Sequence, residues 1–171
     1  VDFGGTSCYK MIESYVNLLV VRTFSKSRCL AGARLGYAFG SPELIEDLEK
    51  LKYSTNPYNV NRLSMMLGCK TVEAEAYYQE VSKKIQSARA WTEKALAEQG
   101  FRVLPSKTNF IFASCPTICG EDLYRGLRKR GVLVRHFTKE RIKDFVRITV
   151  GTQEQMEKLL DAVKEMMGGT K

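Results

Sequence analysis

The segment Thr23-Phe-Ser-Lys-Ser-Arg-Cys-Leu-Ala-Gly-Ala-Arg-Leu-Gly-Tyr37 carries the most chemical information in this sequence. It begins at the end of one short, branched apolar run and leads into another, and such runs are typical of buried strands. Lys26 lies between two serines just past the first run, where an amine can lose its solvation and act as a nucleophile. Arg34 follows eight residues later, across a glycine-containing turn. Two strand ends joined by a short loop could gather Lys26, Arg34 and the hydroxyls of Thr23 and Ser25 around a phosphate.

The same residues have a simpler interpretation. A lysine in a serine-rich turn is more often an exposed loop residue than a nucleophile, and composition alone favours that alternative. The segment therefore predicts an anion site with an amine beside it only if other motifs support the same reading.

Composition excludes several classes of protein. The chain has 171 residues, of which 44% are hydrophobic and 27% charged, and these values are usual for one globular domain. We expect neither a signal peptide nor a membrane span, because no apolar run approaches the ~18 residues that a spanning helix needs. The five cysteines form no CxxC pair and there is one histidine, so we expect reduced thiols and no metal site.

The net charge of +8 favours binding partners that are anionic. Residues 121–147 hold nine basic and four acidic side chains. Their local net charge of +5 is over half of the net charge of the chain. No aromatic-interleaved nucleic-acid motif accompanies them, so a basic nucleic-acid-binding module is an alternative supported by charge alone. A solvated basic surface is the simpler interpretation of most of these residues.

The first half of the chain reads as two strands followed by helices. The strands are predicted over residues 17–24 and 34–39, and Ser41 with Pro42 predicts the start of a helix. A long helical region is predicted from about residue 60 to residue 99. Its core-facing stripe is predicted to comprise Tyr78, Val81, Ile85, Ala88, Trp91 and Ala95.

Strands and helices alternate in the second half, which predicts an α/β or α+β layer architecture. Strands are predicted over residues 101–104, 109–113, 132–134 and 145–150, and a helix over residues 121–130. Thr152 and Gln155 have the spacing of a capping box at the start of the last helix.

Several motifs in order resemble those of fold-type I pyridoxal-phosphate-dependent enzymes. The pattern Ser25-Lys26…Gly32-Ala33-Arg34-Leu35-Gly36 resembles their lysine segment, and the similarity runs over nearly the whole chain. Arg22-Thr-Phe-Ser-Lys26 with Leu30-Ala-Gly32 most resembles the histidinol-phosphate aminotransferases, a class II-like branch. Further matching segments are Asn56-Pro-Tyr-Asn-Val-Asn61, Lys107-Thr-Asn-Phe110, Gly131-Val-Leu-Val-Arg135 and Val146-Arg-Ile-Thr-Val-Gly-Thr152.

The resemblance implies roles for particular residues. Lys26 would hold pyridoxal 5'-phosphate covalently and move the substrate proton, while Thr23, Ser25 and Arg34 would hold the cofactor phosphate. The substrates implied are histidinol phosphate and 2-oxoglutarate, in histidine biosynthesis, with the substrate phosphate bound by Arg147 and Arg135. The resemblance also implies a cytoplasmic homodimer with no nucleic-acid or membrane partner.

The resemblance covers the C-terminal half of such enzymes. We expect residues 1–74 to be the last part of the large cofactor domain, including a remnant of its sheet, and residues 75–171 to be the complete small α+β domain, joined by a long helix. The aspartate that holds the cofactor ring nitrogen should lie upstream, so we expect the isolated chain to be inactive, with or without bound cofactor. An aromatic-amino-acid aminotransferase and an amino-acid-phosphate decarboxylase stay open as alternatives, because they share Lys26 and Arg34.

Overall fold

The computed structural model describes residues 1–168 and divides into two compact units, Val1–Ser82 and Lys83–Lys171. Both units combine helices with antiparallel strands, so the chain is a mixed α/β protein. None of the helices within the described residues is both long and apolar enough to cross a membrane.

The first unit is built on a β-hairpin and helices. Its strands β1 (Val20–Thr23) and β2 (Gly36–Phe39) pair antiparallel, with Val20 opposite Phe39 and Thr23 opposite Gly36. The predicted strands are confirmed but shorter than expected. The hairpin is followed by helices α1 (Pro42–Thr55), α2 (Arg62–Glu73) and the start of α3 (Glu75–Glu98).

Helix α1 starts as the sequence predicts. The Ser41 hydroxyl accepts a hydrogen bond from the backbone N–H of Leu44 at 3.3 Å, and Pro42 occupies the first helical position. Helix α2 is capped in the same way by Asn61, whose side chain accepts from the N–H of Ser64 at 2.9 Å. These local bonds fix where each helix begins.

The predicted helical region over residues 60–99 is two helices. The break falls at Ala74, whose φ of −88° and ψ of 29° end α2, and whose carbonyl accepts from the N–H groups of Tyr77 and Tyr78 as α3 begins. Neither glycine nor proline marks this position, so the sequence carries no breaker that would have shown it.

The second unit is an antiparallel sheet in the order β3-β4-β6-β5, with helices packed against it. The strands are β3 (Arg102–Leu104), β4 (Phe110–Ser114), β5 (Arg135–His136) and β6 (Phe145–Thr149), and the helices are α4 (Gly120–Lys129) and α5 (Gln153–Gly168). Its hydrophobic core includes Leu96, Ile111, Leu123, Leu127, Val146, Leu159 and Val163, each at most 1% exposed.

The capping box predicted before α5 is confirmed. The N–H of Thr152 donates to Gln155 Oε1 at 2.9 Å, and the N–H of Gln155 donates to the Thr152 hydroxyl at 3.3 Å.

The strand predicted over residues 132–134 is wrong, because those residues serve the end of α4 instead. Gly131 adopts a φ of +77°, and the N–H of Val132 donates to the carbonyl of Leu127 at 3.0 Å, which closes the helix. Val132 and Val134 pack partly buried against the core, and strand pairing begins only at Arg135.

The core-facing stripe predicted for α3 is also partly wrong. The buried positions are Ala88, Arg89, Thr92 and Leu96, whereas Trp91 is 39% exposed. The core accepts two polar side chains there because both are hydrogen-bonded: Arg89 Nη1 donates to the Thr108 carbonyl at 2.6 Å, and the Thr92 hydroxyl donates to Ala88 at 2.7 Å. The apolar pattern in the sequence could not predict the buried face of α3, because two of its residues are polar.

Candidate active site

The hairpin of the first unit closes a loop over residues 25–34. Beyond the last pair, Thr23 with Gly36, the N–H of Phe24 donates to the Leu35 carbonyl at 3.0 Å. The N–H of Leu30 then donates back to the Phe24 carbonyl at 3.1 Å. Both ends of the loop are therefore held at the same end of the hairpin. We call residues 23–35 the lysine loop, which includes the last residue of β1.

Lys26 lies at the start of the lysine loop and its side chain is exposed. Its position after a strand suggested that the amine would be removed from water, but the described residues leave it in contact with water. Beside it, the Thr23 hydroxyl accepts from the N–H of Ser25 at 3.4 Å, so its own proton stays available to a ligand. Thr23 is exposed and Ser25 is half-buried.

Arg34 lies at the far end of the lysine loop, in a left-handed backbone conformation with φ 52° and ψ 39°. One guanidinium nitrogen donates to the Ala31 carbonyl at 3.1 Å, and within residues 1–168 no carboxylate pairs with it. The left-handed region costs roughly 1–2 kcal/mol for a residue with a side chain, and such strain concentrates at functional sites. Cys29, in the same loop, also has a positive φ of 55°.

Arg28 ties the lysine loop to the helices that follow it. Its guanidinium donates to the Thr71 carbonyl at 3.5 Å, pairs with the Glu75 carboxylate and lies 5.0 Å from the centre of the Tyr78 ring. The hydrogen bond from Arg28 lowers the pKa of Glu75, and a second bond from Gln79 acts in the same direction. Sequence reasoning missed this contact, because its partners are more than forty residues apart.

An open cavity of about 930 Å³ lies beside the hairpin in the first unit. The ends of β1 and β2 line it together with the face of α2 that carries Met65, Cys69 and Val72. Thr23 borders this cavity, while Lys26 and Arg34 are not among its lining residues. Of the predicted cofactor residues, Thr23 thus reaches the cavity, while Ser25, Lys26 and Arg34 lie outside its lining.

The two arginines predicted to bind substrate are cross-strand partners in the second unit. Arg135 of β5 lies directly opposite Arg147 of β6, and both side chains are exposed. The Arg135 guanidinium lies 5.7 Å from the ring of Phe137, and that of Arg147 lies 5.4 Å from the ring of Phe110. Neither has a carboxylate partner among residues 1–168. Because like charges directly opposite in a sheet repel each other, this pair is suited to an anion.

His136, next to Arg135, is occupied structurally. Its Nε2 is 2.7 Å from the Lys143 carbonyl and its ring stacks on Tyr124, with 6.1 Å between centroids. A carbonyl only accepts, so Nε2 carries the proton of this bond. The ring is half-buried and held at the end of β5.

Comparison with known proteins places the fold and these motifs in one family. The sequence profile of the family described as "Aminotransferase class I and II" matches residues 2–163. The chain therefore belongs to the class I and II aminotransferase family.

Relatives within the family carry a more particular name. Histidinol-phosphate aminotransferase of Syntrophus aciditrophicus is 49% identical over 97% of this chain. The crystal structure of histidinol-phosphate aminotransferase from Clostridium acetobutylicum superposes with a TM-score of 0.85 and 26% identity, covering 95% of this chain and 49% of that one. The enzyme from Sinorhizobium meliloti, solved in complex with pyridoxal-5'-phosphate, gives a TM-score of 0.77 at 26% identity over 94% of this chain and 44% of that one.

The chain spans about half the length of the curated relatives it matches, 46% in the case of the Syntrophus protein. These comparisons agree with the resemblance seen in the motifs, both in the family and in the portion of it that the chain covers.

Proposed function

We propose that the whole protein is a pyridoxal-phosphate-dependent aminotransferase that moves the amino group of histidinol phosphate to 2-oxoglutarate in histidine biosynthesis. The observation that carries the proposal is the 49% identity with a histidinol-phosphate aminotransferase, over 97% of this chain. The lysine loop supports it, since one short segment supplies an amine, two hydroxyls and a guanidinium that has no carboxylate partner in the described part of the chain.

The donor set of the lysine loop fits a phosphorylated aldehyde cofactor. The Thr23 and Ser25 hydroxyls and the open N–H groups of Arg34 are suited to phosphate oxygens, and the planar guanidinium can serve two oxygens at once. Lys26 offers a primary amine, which is the group that attaches to an aldehyde. We assign Thr23, Ser25 and Arg34 to the cofactor phosphate and Lys26 to its covalent attachment.

Lys26 also acts as the acid–base group of the reaction. The bound cofactor supplies an electron sink for the substrate α-carbon. Once the substrate amine has replaced Lys26 on the cofactor, the freed Lys26 amine would take the proton from that α-carbon and deliver it to the cofactor carbon to which Lys26 had been attached. Lys26 is exposed in the described residues, so this role would need water to be excluded from Lys26 in the whole protein.

Arg135 and Arg147 bind the phosphate of the substrate. Two guanidinium groups on neighbouring strands offer parallel forks to a dianion, and binding relieves their mutual repulsion. We further propose that the protein works as a homodimer in the cytoplasm, as the resemblance implies, with small molecules as its only ligands.

The proposal is tested with the whole protein, purified and supplied with pyridoxal phosphate. We expect glutamate to form from histidinol phosphate and 2-oxoglutarate, and Lys26→Ala to lower kcat by roughly 10³-fold or more. Lys10→Ala, which removes another exposed lysine of the first unit, should leave kcat unchanged. Wild-type activity in Lys26→Ala would contradict the proposal. Release of carbon dioxide from an amino-acid phosphate, without glutamate formation, would assign the decarboxylase alternative.

A further inference from the structure

Helix α2 presents one face to the lysine loop. Its three buried residues are Ser64, Gly68 and Thr71, which recur at positions i, i+4 and i+7 and so share a face. The proposed function uses none of them. All three belong to the first unit, as does the lysine loop.

Each of the three meets a different part of the loop. The Ser64 hydroxyl donates to the carbonyl of Ala33 at 2.9 Å. A Cβ added at Gly68 would lie 2.5 Å from Leu35 Cδ2, so the side chain of Leu35 packs closely against the helix at this glycine. The carbonyl of Thr71 accepts from Arg28 at 3.5 Å. Helix α2 therefore contacts the residues on both sides of Arg34, and it also contacts Arg28, which lies nearer Lys26.

Ser64 is the member of this face that acts on Arg34. The hydroxyl is 4% exposed and its position in the helix is fixed by the Asn61 cap, so the bond to Ala33 leaves little freedom. Ala33 precedes Arg34, whose φ of 52° is strained for an arginine and needs its neighbours held in place.

We propose that Ser64 is a positioning residue: by holding the Ala33 carbonyl, its hydroxyl sets the left-handed turn that directs the Arg34 guanidinium to the cofactor phosphate. The inference rests on the proposed function, because it needs Arg34 to bind that phosphate. It adds a residue thirty positions beyond Arg34 that no motif of the lysine segment includes.

The experiment compares two ligands that differ only in the phosphate. The dissociation constants of pyridoxal phosphate and of pyridoxal are measured by absorbance titration of the whole apoprotein. We expect Ser64→Ala to raise the constant for pyridoxal phosphate about tenfold and to leave that for pyridoxal within about twofold, as for the loss of one charge-assisted hydrogen bond. A general loss of stability would weaken both ligands alike.

Thr71→Val is the matched control. Thr71 is 5% exposed on the same helix, but its hydroxyl donates to Gly68 of α2 itself at 2.9 Å and not to the loop. The change is nearly isosteric, and we expect the preference for pyridoxal phosphate over pyridoxal to stay at the wild-type value. A reduced preference in Thr71→Val would show that any disturbance of α2 has this effect, and would overturn the assignment to Ser64.

A double variant separates this inference from the proposed function. Arg34→Met should abolish most of the preference for pyridoxal phosphate over pyridoxal. Ser64→Ala should then have no further effect, because both changes act through the contact between Arg34 and the phosphate. Additive effects, or a wild-type preference in Ser64→Ala alone, would overturn the role of Ser64 while leaving Arg34 in place. If Arg34→Met keeps the preference, the phosphate site of the proposed function is itself wrong.

Discussion

At the scale of single residues, the arginines differ in whether the guanidinium already has a carboxylate partner. Arg22 pairs with Asp2 and Arg28 with Glu75, and both side chains are about one-fifth exposed. Arg34, Arg135 and Arg147 are exposed and have no carboxylate partner among residues 1–168. A folded chain gains little from an exposed guanidinium that has no carboxylate partner, so the charge of each of these three stays available to a ligand.

The first prediction concerns Arg147. We expect Arg147→Met to raise KM for histidinol phosphate roughly 10- to 100-fold, because one charge-assisted contact to the substrate phosphate is lost. The free energy of unfolding should change by no more than about 0.5 kcal/mol, since the loss also relieves repulsion by Arg135. Steady-state kinetics and urea unfolding measure the two effects.

Arg128→Met is the control for this prediction. Arg128 is also exposed, but it lies on α4 and not in the arginine pair, so its removal should leave KM within about twofold. An equal rise of KM in both variants would mean that the general positive charge of the second unit matters, and not the pair of arginines.

At the scale of elements, α4 depends on glycines at its first position and after its end. Gly120 packs against the backbone of Lys143 and Asp144, just before β6, where an added Cβ would meet the Lys143 carbonyl oxygen and lie 2.9 Å from the Asp144 carbonyl carbon. This close approach brings α4 next to the strand that carries Arg147. Gly131 ends the helix with a positive φ of 77°.

The second prediction compares two glycines of this helix. We expect Gly120→Ala to lower the free energy of unfolding by about 1–3 kcal/mol, because backbone atoms cannot yield to the new methyl group. Gly126→Ala should be near neutral, since its methyl group would meet only the flexible end of Met166 and alanine favours a helix interior by about 1 kcal/mol. Urea unfolding measures both, and equal losses would contradict the packing argument.

At the scale of the whole molecule, the two units bury different amounts of apolar surface. Among the described residues, the buried hydrophobic side chains of the first unit are Phe3, Val20 and Phe24, each 7–9% exposed, whereas the second unit has a continuous core of strands and helices. In the first unit, Leu63, Met66 and Leu67 of α2 are exposed, each by 48% or more. The lysine loop thus lies in the less tightly packed of the two units.

The third prediction concerns the 171-residue chain by itself. We expect no measurable transamination of histidinol phosphate, because Lys26 is exposed and the described residues do not exclude water from it. Sodium borohydride with pyridoxal phosphate should label Lys26 only weakly, with a Lys26→Ala variant as the blank. Stoichiometric labelling of Lys26 would show that these residues suffice to build the site.

Local signals in the sequence predicted much of the fold. The caps at Ser41 and Thr152 and the strands on either side of the lysine loop depend on neighbours a few residues apart, and the structure has them where the pattern placed them. The same locality explains the errors. Residues 132–134 read as a strand because they are three consecutive apolar residues, but Val132 is used to close α4.

The sequence by itself predicted the family, named the candidate site residues and set the starts of α1 and α5, because each of these rests on residue types at short spacing. Only the tertiary structure decided that Arg135 lies opposite Arg147, and that Ser64 holds the turn before Arg34. These contacts join residues 12 and 31 positions apart along the chain. Nothing local specifies such pairs, since they form only when strand register and the packing of α2 bring distant backbone segments together.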